Sequence, residues 1–272
     1  MITVEQLLDG LVIPIDKPRQ WTSFQTVNKV KAVIRNLYGI KKFKIGHAGT
    51  LDPLATGVLL VCVGRATKEI ANLQQGEKCY TGTLVLGATT PCHDQEQPID
   101  QLFPYDHITP ALLEETCRQF TGTLQQVPPI FSAVKIDGRR AYEYARADDP
   151  SAQPVAKTVQ VRSFDILAYR PGSTNTADNA IQTCGNEKTK GSNLHKYNNP
   201  VEEIPPFLPQ LDFRIRCGKG TYIRSIARDL GAALQSGAYL ASLCREQVGS
   251  YSLAQSVPLE QVDRFLQQET KQ

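Results

Sequence analysis

The sequence predicts an α+β fold. Three observations carry that expectation. Short segments that alternate apolar and polar residues, or run wholly apolar between glycines, recur along the chain. Segments with helical spacing lie among them. The two kinds do not alternate regularly, as a doubly wound parallel sheet would require.

Taken in order, "LVIPID" reads as a strand ended by Lys17-Pro18. Thr22 or Ser23 then caps a helix whose apolar positions are Phe24, Val27, Val30, Ile34 and Leu37, three or four apart. "VLLVCV" is a buried strand between Gly57 and Gly64, and "ATKEIANLQQG" a short helix closed by Gly76. "YTGTLVLG" is another strand and "CHDQEQPIDQ" a polar loop. Thr109 and Pro110 start a helix, as N-cap and first residue, that ends at Gly122. "PPIFSAVKIDGRRAYEYARA" gives a strand, a turn at Asp137-Gly138 and a short helix. "VQVRSFDILAYR" and "LDFRIRC" alternate as strands. "TYIRSIARDLGAALQSG" has helical spacing at Ile223, Ile226, Leu230 and Leu234 and closes at Gly237. "PLEQVDRFLQQ" is a last amphipathic helix. Residues 171–207 are rich in Asn, Thr, Gly, Ser and Pro without an apolar period, and read as a disordered insertion between two paired strands.

At 272 residues and 41% hydrophobic content, the chain can bury a sizeable core. Its net charge of +3 says little about a polyanion, but the charge is unevenly placed. Lys17, Arg19, Lys29, Lys31, Arg35, Lys41, Lys42 and Lys44 fall in a stretch without Asp or Glu. Arg214, Arg216, Lys219, Arg224 and Arg228 fall in a second. Such single-sign blocks suit phosphate binding. The cysteines number seven, an odd count, with no two at C-x-x-C spacing, and no secretory leader precedes "LVIPIDKP". This composition reads as a soluble cytoplasmic protein with reduced thiols.

Several site types fail. "GKGT" at 218–221 lacks the first glycine of a phosphate-binding loop, and no G-x-S-x-G elbow occurs. His47, His93, His107 and His195 are scattered, with no cysteine or acid at ligand spacing, so no metal is expected. Asp52 remains, in "GHAGTLDPLATGVLLVCVGRATK" from 46 to 68. As a carboxylate before a proline it can be a nucleophile, a base or an ion-pair partner, or it can simply form the turn.

That segment closely resembles the signature of the TruB family of tRNA pseudouridine synthases, and other segments agree in the same order. "IDKP..WTS" is similar to the family's first motif and "KCYTGTLVLGATT" to its tyrosine-bearing strand. "PPIFSAVKIDGRRAYEYAR" resembles its RNA-clasping thumb, and "CGKGTYIRSIARDLG" its arginine motif. The match covers nearly all of residues 10–251 apart from the insertion.

The resemblance implies the pseudouridine synthase fold, a mixed and mostly antiparallel sheet flanked by helices, with a thumb-like insertion. It implies one catalytic domain over residues 1–255 and a short helical tail over 256–272. The activity implied is isomerisation of the uridine at position 55 in the T arm of tRNA, without cofactor or metal. The glycosidic C–N bond breaks, the flipped-out base turns, and a C–C bond forms to the same ribose. By carry-over Asp52 is the catalytic nucleophile, and Arg224 pairs with it and holds it ionised. Tyr80 stacks on the uracil and helps move the C5 proton. His47 supports the unstacked T loop, and Tyr222 and Leu243 complete the base pocket. Lys17, the basic blocks, and Lys135, Arg139, Arg140 and Arg146 of the thumb contact RNA backbone and shape. The implied partner is the tRNA T stem-loop, met by a monomer with no obligate protein partner and no membrane.

Three features depart from the family pattern. Gln20 stands where the first motif usually has glycine, and "TTPCHD" replaces a more acidic run. Only 21 residues follow Tyr251, too few for the PUA domain of many bacterial members. The competing reading is an RNA-binding protein that helps tRNA fold, with catalysis secondary. Action on other uridines is a third possibility.

Overall fold

The chain is described by a computed structural model over residues 2–132, 134–136, 138–147, 149, 154–173 and 203–268. In order, α1 (Val4–Gly10), β1 (Leu11–Lys17), α2 (Ser23–Tyr38), β2 (Ile45–Ala48) and β3 (Thr56–Val63) lead to a 3-10 helix, Gly64–Glu69. Then follow α3 (Ile70–Leu73), β4 (Lys78–Leu86), β5 (Ala88–Thr89), β6 (Gln101–Leu102), α4 (Pro110–Gln119) and β7 (Gly122–Gln126). The hairpin β8 (Lys135–Ile136) and β9 (Arg139–Arg140), α5 (Ala141–Arg146), β10 (Lys157–Arg170) and β11 (Gln210–Cys217) come next. The chain closes with α6 (Ile223–Ala233), β12 (Ala238–Val248), β13 (Tyr251–Ser252), β14 (Val257–Pro258) and α7 (Val262–Gln267).

The caps read from sequence have their physical basis. Thr22 accepts from the Gln25 amide, and the Gln25 side chain answers the Thr22 N–H, a reciprocal box that satisfies two end donors of α2. Thr109 accepts from the Leu112 amide, with Pro110 at the first position of α4.

Five local expectations need correction. Phe24 is not on the buried stripe of α2. That face is Ser23, Thr26, Val27, Val30 and Ile34, and Phe24 is 70% exposed. The helix expected from Ala66 is 3-10 as far as Glu69 and α only over Ile70–Leu73; in its first part the Thr67 hydroxyl bonds the Gly64 carbonyl in competition with a regular turn. The strand expected from Pro128 shrinks to Lys135–Ile136, because two successive prolines lack the amides a ladder needs. The polar loop after Thr90 turns inward, with Cys92, Asp94, Gln95 and Ile99 buried. Past α6 the left-handed residue is Gln235, at φ 53°. Gly237 serves close approach instead, since a Cβ there would lie 2.5 Å from the Phe103 ring.

Two compact units form, residues 1–81 with 243–272, and residues 82–242; the chain passes from one to the other within β4 and β12. In the first unit the strand order is β14-β1-β3-β12, with β2 on β3 and β13 on β12. β1 and β3 are antiparallel from Leu11↔Val63 to Lys17↔Gly57, while β3 and β12 are parallel through Cys244↔Thr56 and Arg245↔Gly57. Ala48, Val58, Leu60 and Val248 form an apolar cluster here. In the second unit the order is β12-β4-β11-β10-β7, with β10 antiparallel to both neighbours. Its core includes Leu84, Leu86, Leu113, Phe213, Ile215, Ile226 and Leu230, and the Phe164 and Phe213 rings meet edge-on at 6.0 Å. The mixed, mostly antiparallel pairing bears out the expected class.

β10 and β11 are the strands expected to flank the insertion, and they pair up to Arg170↔Gln210. Most of the segment read as disordered, residues 174–202, lies outside the described residues. No helix among the described residues is long and apolar enough to cross a membrane.

Candidate active site

Asp52 sits half-buried in the turn between β2 and β3, and its neighbours on either side are tied down. The Ser23 hydroxyl donates to the Leu51 carbonyl (3.0 Å) and accepts from the Leu51 amide (2.9 Å). The Pro53 carbonyl accepts from the Gln20 amide (2.8 Å) and from Lys17 Nζ (3.2 Å). The Ala55 amide closes the turn on the Asp52 carbonyl at 3.1 Å. The carboxylate is therefore presented on a main chain with little freedom, which suits a nucleophile or base.

Lys17 corrects an expectation. A side chain expected to face RNA phosphate is instead fully buried, and its ammonium donates to the carbonyls of Pro18 (3.0 Å), Trp21 (2.6 Å) and Pro53. Burial lowers its pKa to about 8, and the Asp52 charge opposes the shift. Gln20 has φ 67°, so the first motif keeps a glycine-like turn although it carries glutamine there.

The same unit holds His47, Tyr80 and Leu243. His47 lies on β2 opposite Val61, its pKa lowered by burial and then by the Arg245 charge. Tyr80 is on β4 and 8% exposed. Leu243 is half-buried on β12, where its carbonyl accepts from the Thr56 hydroxyl (3.4 Å).

Arg224 and Tyr222 belong to the other unit. Arg224 is 4% exposed on α6 and donates to the carbonyls of Cys92 (3.1 Å) and Phe131 (2.9 Å), with Nε 3.6 Å from the Asp94 carboxylate. Asp94 is buried and accepts from the Cys92 thiol (2.9 Å) and the Glu96 amide (2.9 Å). Burial, then the Asp94 charge, pushes the Cys92 thiol up to about 12. Tyr222 precedes α6; its amide donates to the Gln126 side chain (2.7 Å), which in turn donates to the Tyr222 carbonyl (3.1 Å).

Sequence reasoning missed Asp94, Gln126 and Arg245. Asp94 lies in the departing "TTPCHD" run, but nothing in a polar loop signals that it folds inward. Arg245 reads as one basic residue in "LCRE". It is 2% exposed and donates to the carbonyls of Val58 (2.8 Å), Gly49 (3.0 Å) and Thr50 (3.5 Å).

Lys41, Lys42 and Lys44 are exposed before β2, and Lys135, Arg139 and Arg140 are exposed on the β8–β9 hairpin. The Arg139 guanidinium lies 4.4 Å over the Tyr144 ring. The side chain of Arg146 lies outside the described residues. Among the described residues no group of three His, Cys, Asp or Glu side chains is placed to hold a metal.

Comparison with known proteins adds three findings. Residues 35–185 match the TruB family pseudouridylate synthase N-terminal domain. Proteins named tRNA pseudouridine synthase B from Flavobacterium johnsoniae and Phocaeicola vulgatus are 44% and 41% identical, over 98% and 96% of this chain and 100% and 95% of theirs. A chain in the crystal structure of a Cbf5-Nop10-Gar1 complex superposes over 97% of this chain and 56% of its own length, with TM-score 0.61. At 23% identity that last likeness speaks for the fold alone. With more than half the chain matched and near-complete relatives above 40% identity, this protein belongs to the TruB family of pseudouridylate synthases.

Proposed function

We propose that this chain converts the uridine at position 55 in the T arm of tRNA to pseudouridine. The observation that carries the reading is the Asp52 turn, held by Lys17, Ser23 and Arg245, in a chain whose near-complete relatives bear the name tRNA pseudouridine synthase B. The reaction breaks the bond from ribose C1′ to N1 and forms one from C1′ to C5. The proton leaves C5 and N1 gains one, so the change is an isomerisation that needs no cofactor.

Asp52 is the group proposed to attack. Tyr80 is the proposed aromatic face for the uracil and the proposed aid to moving the C5 proton. His47 meets the loop that the base has left. Leu243, Tyr222 and Arg224 are the further residues proposed to bind substrate. A flipped base loses a few kcal/mol of stacking, which pocket and backbone contacts must offset. Lys41, Lys42, Lys44, Lys135, Arg139 and Arg140 are the proposed phosphate contacts. Residues 1–255 act as the catalytic domain, the protein works in the cytoplasm as a monomer, and no partner protein is required.

The test is tritium release from tRNA labelled at C5 of uridine, mixed with the purified protein. Release of one tritium per tRNA, abolished when position 55 is cytidine, is expected. Tight tRNA binding without release overturns the enzymatic reading and leaves the tRNA-folding one.

A further inference from the structure

We infer that Arg245 is a positioning residue for the Asp52 turn, so that catalysis depends on a guanidinium that never touches substrate. The inference rests on the activity proposed above. Arg245 sits on β12, far along the chain from the turn it serves. Its one planar group reaches both sides of Asp52: Gly49 and Thr50 accept before it, and Val58 accepts after it. A guanidinium offers five N–H donors in a rigid plane, so it can fix several carbonyls in one mutual geometry. A lysine at the same place is a single flexible point.

Three further observations agree. Arg245 and Lys17 both stand opposite Gly57, one on each neighbouring strand, so the two cations bracket the residue where β3 leaves the turn. Gly57 has φ 95°, and a Cβ there would lie 2.3 Å from the Arg245 carbonyl, so the main chain of Arg245 is seated as closely as its side chain. The charge is also felt around the turn: burial first, and then this guanidinium, lower the pKa of His47 and of Lys17. A buried guanidinium is costly to desolvate, and an apolar side chain of similar volume would fill the core at least as well. What the apolar side chain could not do is hold three carbonyls in register.

The experiment compares wild type, Arg245→Met and Arg245→Lys by single-turnover tritium release, tRNA filter binding and thermal melting. Both variants are expected to fold and to bind tRNA nearly as wild type does. The release rate of Arg245→Met should fall about 100-fold, the scale of an ångström-sized misplacement of a reacting group. Arg245→Lys should lie between. A folded Arg245→Met that releases tritium at the wild-type rate overturns the inference. So does a rate loss that only follows a loss of tRNA binding. Should the Met variant not fold, an unimpaired Arg245→Lys overturns it equally. Wild-type protein that releases no tritium overturns the functional reading, and this inference with it.

Discussion

The ammonium of Lys17 bonds the carbonyl of Pro53, the residue after Asp52, at 3.2 Å. A buried cation thus holds the backbone of the acid by its far side, and its own proton is held less tightly than usual. Below pH 8 both folded and unfolded chains carry that proton. Between about 8, the folded value, and the ordinary 10.5, the unfolded chain keeps it while the folded chain has released it. Stability from this group therefore rises with pH across that window. The gap in urea midpoint between wild type and Lys17→Met should shift in favour of wild type from pH 8 to 10. A gap that is flat over that range would refute the assignment.

Asp52→Asn keeps the size of the side chain and removes its charge and nucleophilicity. Turnover should fall by at least about 10⁴-fold, as when a unique nucleophile is lost. Affinity for tRNA should change little, since it arises from spread phosphate contacts. Tritium release beside filter binding separates the two, and near-wild-type release by the folded variant would leave Asp52 a turn-forming residue.

Gln20→Gly should not destabilise the protein, although it adds a glycine. The left-handed φ of 67° costs a non-glycine residue about 1 kcal/mol, close to the unfolded-state entropy that glycine brings. Gln20→Val should lose about 1–2 kcal/mol in urea unfolding, because a branched Cβ fits that region worst. Equal stability of the two variants would show the turn to be pliable.

Replacing Lys41, Lys42 and Lys44 with alanine should make the salt dependence of tRNA binding shallower. The slope of log K against log salt should drop by about one for each phosphate that is no longer neutralised. An unchanged slope would mean a solvated face only.

Removing residues 174–202 and joining the ends with a short Gly-Ser turn should leave melting temperature and turnover nearly intact. The ends are already brought together: Arg170 pairs with Gln210, and a Cβ on Gly172 would overlap the Phe207 carbonyl at 1.9 Å. The closure term grows only slowly with loop length. Insoluble protein, or a large fall in turnover, would make the segment structural.

Much of the fold was legible because its signals are local. Thr22 with Gln25, Thr109 with Pro110, and the apolar run after Gly57 each declare an element within a few residues. What escaped depends on distant chain. Phe24 keeps helical spacing with Val27 yet faces out, since which face is covered is decided by other elements. Lys17 reads as a surface cation until three carbonyls close around it. Asp94 and Arg245 carry no spacing signal, because their partners lie far away in sequence. The Asp52 segment itself was conspicuous, and the scaffold that steadies it was not.

The first unit is made from two separated stretches of chain, and the second from one. During synthesis, residues 82–242 can condense while the ribosome is still adding the last strands. The turn that carries Asp52 emerges early but waits for Arg245, whose bond to Gly49 joins residues 196 positions apart. Such a contact closes a long loop, at an entropic cost that a local contact does not carry. A chain released before β12 therefore has the Asp52 turn without the Arg245 bonds to Gly49, Thr50 and Val58.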